Sequence, residues 1–375
     1  MRSKAFFING GAGRVICSIP AFEKYAETHD DFIIVAEGGT DFFKGHPTLD
    51  GKVYDAWHKN LFEEHIKHRD CVSPEPYRIW HYYNQKCSLT QAFDMEINGL
   101  DEPRELPKPT LNLTKMEVIQ GYNIVQEVKA VTGKDKVVVV QPFGRGVTQM
   151  GDFIADPSSR SMSLVNTVDI INDLKKDYGV VIMSEIHFPL EENEEKSKYK
   201  VGRPQIDDIR IWASVIDVAD HFLGVDSIGQ HICKALDKKA TVVIGSTYPV
   251  NISYPEDPNF DIIDIGVDKR VYSPIRISMD ETRDRYNDQA MEMTNDQVKS
   301  VINNVRKHLG KPKSFTGTFT PVQQPENACC PPSGQPQQAQ PMMTPAGSAP
   351  FMTEKPKKPK VGFKQEVKNL LKENK

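Results

Sequence analysis

Strand-like and helix-like stretches alternate along this chain, which predicts an α/β protein built on doubly wound parallel sheets. Its 375 residues exceed what one core usually serves, so two domains are expected. The third observation is residues 219–247, which read as strand, sharp turn, helix and strand, a parallel βαβ unit.

From the start, residues 4–9 form a strand, followed by Gly10-Gly11-Ala12-Gly13-Arg14 and a helix over 15–28 that Pro20 interrupts. Residues 32–36 are a second strand ending at Glu37. Gly11-x-Gly13 after a strand, with an acid about where a ribose-binding carboxylate belongs, fits part of a dinucleotide fingerprint. Ile16 stands in place of the third glycine, and the proline breaks the helix that should pack there. The aromatic run 77–83 reads as a strand, as cleft lining or as core. Residues 116–131 carry Met116, Ile119, Tyr122, Val125 and Val128 at helical spacing, and Gly133-Lys134-Asp135 reads as a hinge.

That hinge divides an expected first domain, 1–133, from a second, 134–285. Residues 136–141 (KVVVVQ) are a fully buried type of strand, and Arg145 follows between two glycines, placed to meet a phosphate. A helix over 163–178, a strand over 180–183, Glu185 and a helix over 207–218 lead into the βαβ unit. A Pro- and Asp-rich loop covers 248–261. Within 286–310, a helix over 296–309 is expected to pack back across the hinge. Residues 311–375 are rich in Pro and Gln and end in a basic run and a short amphipathic stretch. They are expected to be an unfolded tether, with residues 355–375 docking on a protein or nucleic acid, or serving solubility.

The chemistry of the turn at 226–231 is anion binding. Asp226-Ser227 has the character of a helix N-cap. The amides of Ile228, Gly229 and Gln230 would face outward with partial positive charge, suited to a diphosphate. Gly229 would admit a ligand close to the backbone, and His231 could add a donor or a proton. Capping and loop bonding alone are the plainer alternatives.

This segment resembles the signature of family 9 glycosyltransferases of the heptosyltransferase type, which have the GT-B fold. There, a strand is followed by Asp-[Ser/Thr]-x-x-x-His, a helix rich in Ala and Leu, and a strand ending in Gly-x-Thr. Here these are Asp226 to His231, Ala235-Leu236 and Gly245-Ser246-Thr247. The resemblance implies two Rossmann-like domains facing a cleft, with this loop holding the diphosphate of a nucleotide-sugar donor. It also implies that the Arg145 loop touches the donor, that Glu185 lies near its ribose or base, and that the Gly11–Gly13 turn faces the acceptor. It implies no metal and no cofactor, the nucleotide-diphosphate-sugar being a substrate.

Two departures stand out. Many members have Gly third in the motif, whereas here Ile228 is third and Gly229 fourth. Many also have Gly-Asp in the first turn, the Asp a candidate base, where this chain has Gly13-Arg14. Arginine cannot accept a proton at ordinary pH but could bind an acceptor phosphate or the leaving diphosphate. Asp41 and His46, after the second strand, are then the candidate bases, with loop solvation as the alternative.

Composition sets the outer limits. No apolar run approaches the ~20 residues that span a bilayer, and no signal peptide opens the chain, so a cytoplasmic location is expected. The six cysteines lack zinc-ligand spacing. The net charge of −4 divides into −10 on residues 1–310 and +6 on 311–375. An acidic body argues against direct duplex binding, while a basic tail could serve as an electrostatic arm. The leading reading is a glycosyltransferase acting on a glycan, a lipopolysaccharide or a modified DNA base. The alternatives are a catalytically inactive glycosyltransferase-like binding protein, which Arg14 favours, and a NAD-type oxidoreductase resting on Gly11, Gly13 and Glu37.

Overall fold

Short runs of β-branched and aromatic residues build two parallel sheets in a computed structural model that describes residues 3–151, 153–190, 200–270 and 290–322. The first sheet holds β1 (Lys4–Ile8), β2 (Phe32–Ala36), β3 (Val53–Asp55) and β4 (Asp70–Val72), in the order β3-β2-β1-β4. Side chains alternate across a strand. Phe6, Ile8 and Ile34 therefore share the core with α1 (Ala12–Ala26), while Ala5, Ile33 and Val35 meet Ile66 on the other face.

Pro20 does not interrupt α1; the helix runs straight through it. A mid-helix proline costs about 3 kcal/mol. Residues 14–22 of α1 are all buried, and each large apolar side chain enclosed contributes roughly 1.5–3 kcal/mol. Packing outweighs the lost backbone bond. The aromatic run 77–83 is not a strand either: it forms a 3₁₀ turn (Pro76–Arg78) and the short helix α2 (Trp80–Tyr83). Tyr77 and Tyr82 are buried from it and meet edge to face. Helix α3 (Leu89–Asn98) follows, opened by a Ser88/Gln91 capping box.

Helix α4 (Lys115–Thr132) is bounded by a Thr114/Glu117 capping box and by Gly133 in the left-handed region, φ 69°. The sequence placed it in the first domain. It packs instead on α6 (Ile209–Val218), a helix of the second sheet. That sheet comprises β5 (Val137–Gln141), β8 (Gly179–Ile182), β9 (His221–Val225), β10 (Ala240–Ile244) and β11 (Phe260–Asp264). The strand order is β11-β10-β9-β5-β8, all parallel. A hairpin, β6 (Thr148–Met150) and β7 (Phe153–Ala155), leaves the end of β5, and the sequence reading missed it together with β11.

Helices α5 (Leu164–Leu174), α7 (Ile228–Ala235) and α8 (Pro249–Ile252) complete the second layer system with α9 (Asn295–Leu309). The last of these does not return to the first sheet. It packs on α5, β9 and β10, burying Val298, Val301, Ile302, Val305 and Leu309. What reaches the joint is the chain after it: the Asp135 amide donates to Lys313 O (2.9 Å), and the Phe315 amide to Gly133 O (3.0 Å). One apolar core runs through both sheets, from Phe6 and Phe22 to Val139, Phe222 and Val242. Most of the expected tether, including 355–375, lies outside the described residues.

Candidate functional site

The second sheet begins at β5 and then turns to opposite sides, to β8 and to β9. Ligands of open α/β sheets bind at the carboxyl ends of the strands where the order reverses in this way. Here that point lies between β5 and β9, and Gln141 closes one strand while Asp226 follows the other.

Gln141 turns its side chain across this gap, and its Oε1 accepts the Gly229 amide at 2.9 Å. A Cβ on Gly229 would stand 2.3 Å from Phe222 Cζ and 2.6 Å from that same oxygen. Gly229 is therefore glycine for the sake of the protein's own interior, where the sequence suggested close approach of a ligand. Ser227 precedes α7 in an extended conformation, and its side chain makes no capping bond. Asp226 does not cap either. Its Oδ2 accepts from Thr247 Oγ1 (3.1 Å) and faces Arg160 Nη1 (3.7 Å), and its Oδ1 accepts from Gln230 Nε2 (3.4 Å). Burial pushes the Asp226 carboxyl above its ordinary range, against the pull of Arg160. Gln230 is fully enclosed, with Ser253 Oγ donating to its Oε1 at 2.7 Å. Ile228 opens α7 and is half-buried against the core.

His231 Nδ1 lies 2.8 Å from the Tyr254 hydroxyl and 3.5 Å from Cys17 Sγ. Burial lowers the imidazole to about 3 and raises the Cys17 thiol to about 12, against the opposing hydrogen bonds of Thr90 and Tyr254. All three groups are neutral at pH 7. The Tyr254 hydroxyl and the Cys17 thiol both face Nδ1, and Nε2 points away from them. Nε2 lies 3.7 Å from where a Cβ on Gly13 would sit. Arg145 reaches the same turn of the first sheet: its Nη1 is 3.4 Å from the Cβ position of Gly11. The structure thus brings together Gly11, Gly13, Arg145 and His231, four residues singled out from the sequence.

The loop that carries Arg145 is shaped by Asp156, which accepts from the Ser158 and Ser161 amides (2.8 and 2.9 Å) and from both hydroxyls. Those bonds hold its carboxyl below the ordinary value despite partial burial. Ser161 Oγ accepts the Gly144 amide at 2.9 Å, and Ser158 Oγ accepts from Arg160 Nε at 3.1 Å. Arg160, Gln141 and Tyr254 were missed in the sequence. The signal for Arg160 was the polar run Asp156 to Ser161 directly after a strand, a pattern of side chains folding back on their own amides.

Other expected residues are engaged elsewhere. The Arg14 guanidinium lies over the rings of Tyr77 (5.1 Å) and Phe93 (5.6 Å) and donates to Pro74 O, so it is packed within the first half. Asp41 pairs with Lys44 on the surface. His46 is buried: its Nε2 bonds Glu23 (2.9 Å), and its Nδ1 accepts the Thr48 and Leu49 amides (3.2 Å each). His46 is thereby enclosed, whereas the Asp41 carboxylate stays on the surface beside Lys44. Glu185 is exposed after β8. Glu37, the acid of the dinucleotide reading, accepts the Gly10 amide at 3.1 Å instead of standing free for a ribose.

Among solved structures, the chain is similar to a family 9 glycosyl transferase from Veillonella parvula, with a TM-score of 0.55 at 10% identity over 81% of this chain and 97% of that one. The fold is GT-B. A second similar structure is the iron-containing dodecameric glycosyltransferase TibC from enterotoxigenic E. coli, with a TM-score of 0.50 at 13% identity over 82% of this chain and 78% of that one. No family model matches the sequence. No curated protein matches it either. Among the described residues, no helix is long and apolar enough to cross a membrane.

Proposed function

We propose that this chain is a glycosyltransferase taking a nucleotide-diphosphate sugar as donor. The observation that carries the reading is the approach of the Arg145 loop to Gly11 and of His231, in the first turn of α7, to Gly13. Arg145 and Arg160 supply the charge a diphosphate requires, and His231 adds a neutral imidazole beside the Gly13 turn. In the reaction the bond from the sugar carbon to the diphosphate oxygen breaks, and a bond from the acceptor oxygen to that carbon forms. The acceptor proton goes to a base. His46 is buried and bonded on both ring nitrogens, so we assign that role to Glu37, which accepts the Gly10 amide through Oε2 and keeps an exposed carboxylate at the Gly10 turn. The acceptor is a hydroxyl of a glycan, a lipopolysaccharide or a modified DNA base, and the sugar a hexose or heptose.

A second reading is a donor-binding protein without transfer activity, favoured by the engagement of both bases expected from the sequence. One experiment addresses both. The full chain is titrated with nucleoside diphosphates, nucleotide sugars and NAD, and release of nucleoside diphosphate from the bound donor is followed. A charged hydrogen bond contributes about 1.5–3 kcal/mol, so Arg145→Ala and Arg160→Ala should each weaken diphosphate binding by roughly 10- to 150-fold. Glu37→Gln should keep donor affinity and reduce turnover by roughly 10²–10⁴-fold. Undiminished affinity in both arginine variants, or preferential binding of NAD, would sink the donor site. Tight donor binding without any turnover would establish the second reading.

A further inference from the structure

The two faces of the first sheet are covered very differently. Helix α1 lies on one, within a large core. The other is covered by the crossover from β3 to β4, which supplies little more than Ile66 and Leu61 against Ala5, Ile33 and Val35. A helix normally occupies that place in a doubly wound sheet. Here the crossover contains a single π-turn, Phe62–Ile66.

In this crossover His58, Glu64 and His65 each present a ligand atom, and the three atoms lie within 4.8 Å of one another. Their orientation is supported from outside the trio. Asn60, in the left-handed region at φ 59°, donates its Nδ2 to Glu64 Oε1 at 3.0 Å. The Tyr54 ring of β3 stacks on His65 with centroids 4.0 Å apart. The carboxylate and the histidine face one another, His65 Nε2 standing 3.8 Å from Glu64 Oε2.

We propose that His58, Glu64 and His65 bind a divalent first-row transition metal, with zinc as the reference ion, and that the ion ties the start of the crossover to its π-turn. Two imidazoles and a carboxylate suit such an ion, with bonds of about 2.0–2.2 Å. Neighbouring ligands of a tetrahedral ion stand about 3.3 Å apart, so the donors close by up to roughly 1.5 Å on binding. His58 and Glu64 are exposed and free to make that movement by side-chain rotation. Water fills the remaining position on the solvent side. The ion would join residue 58 to residues 64–65 where the covering layer has few apolar contacts of its own. This inference does not depend on the transferase reading.

The test is a zinc chloride titration of the full chain by calorimetry at pH 7.5, with Cys71, Cys329 and Cys330 replaced by Ser to remove competing thiols. One equivalent should bind, and the melting temperature should rise. His58→Ala and His65→Ala should each lose at least tenfold in affinity, while His68→Asn, an exposed neighbour, should lose nothing. Asn60→Gly keeps the left-handed backbone and should weaken binding roughly 10–100-fold, as loss of a ligand's supporting hydrogen bond does. The metal site is overturned if the parent shows no saturable binding, or if the His58→Ala/His65→Ala double variant binds as the parent does. Binding without a rise in melting temperature overturns the stabilising tie within the crossover.

Discussion

Burial decides the chemistry of His221 and His231, and it makes both rings sensors of acid. His221, bonded to Thr241 Oγ1 at 2.8 Å and stacked on His308, is lowered to about 3 by burial and the His308 charge. His231 is lowered to about 3 chiefly by burial. In the unfolded chain both protonate near pH 6.5. Between pH 6.5 and 3 the unfolded state therefore binds more protons, and stability falls as pH falls. The slope contributed is about 1.4 kcal/mol per pH unit for each ring. Carboxylates held low, such as Asp156, act mainly below this range, while the raised Asp226 carboxyl acts with the opposite sign, so the comparison with a histidine variant is what isolates the ring. Urea unfolding should show a midpoint declining from about pH 6.5 to 5, with a shallower decline in His231→Gln; equal slopes would contradict a neutral buried ring. At this scale Arg145 and His231 were legible because each sits in a local pattern at a strand end. Arg160 was not, because its meeting with Asp226 exists only once β7, β9 and the loops between them are folded.

Glycines carry much of what elements need from one another. A Cβ on Gly121 of α4 would stand 2.2 Å from Ser214 Oγ and 2.6 Å from the Ser214 carbonyl carbon of α6, so these helices touch backbone to backbone. Gly121→Ala should cost roughly 1–3 kcal/mol or more by forcing the pair apart. Gly229→Ala should cost a similar amount through Phe222 and Gln141, before any ligand is considered. Gly133→Ala, with positive φ but open space around it, should cost only about 1 kcal/mol. Denaturant midpoints of the three variants check this order, and a Gly133 variant less stable than the Gly121 variant would refute it. The strands were readable because β-branched runs bounded by glycine have few other uses. Residues 77–83 were not, because tyrosine and tryptophan also serve short helical turns whose packing is non-local. Nor could the pattern of α4 say which sheet it would cover.

The halves of the molecule are held by buried polar ties as well as by the shared core. Arg210 of α6 is almost wholly enclosed and bonds Glu117 of α4, the Asp41 carbonyl at 2.9 Å and the Asn112 carbonyl. Asn251 of α8 donates to the Tyr82 and Cys87 carbonyls at 2.7 and 2.9 Å. Unfolding should therefore be one transition, with circular dichroism and the fluorescence of Trp57, Trp80 and Trp212 changing together. Two separated steps would mean that the halves are independently stable. The sequence expected the first domain to end in a hinge at Gly133, yet α4 on the near side of that glycine packs on α6 on the far side.

The position of Arg210 along the chain also bears on how the protein is made. Its acceptors at 41, 112 and 117 leave the ribosome well before residue 210 does, by about 5–35 s at ordinary elongation rates. During that interval α4 has neither its cation nor the surface of α6 to cover it. The nascent first half is thus committed to wait, with an apolar helix face available to chaperones. A fragment of residues 1–133 should fail to give a cooperative melt, whereas one extending to 322 should melt as the full chain does. A stable, soluble 1–133 fragment would show that the early half matures unaided.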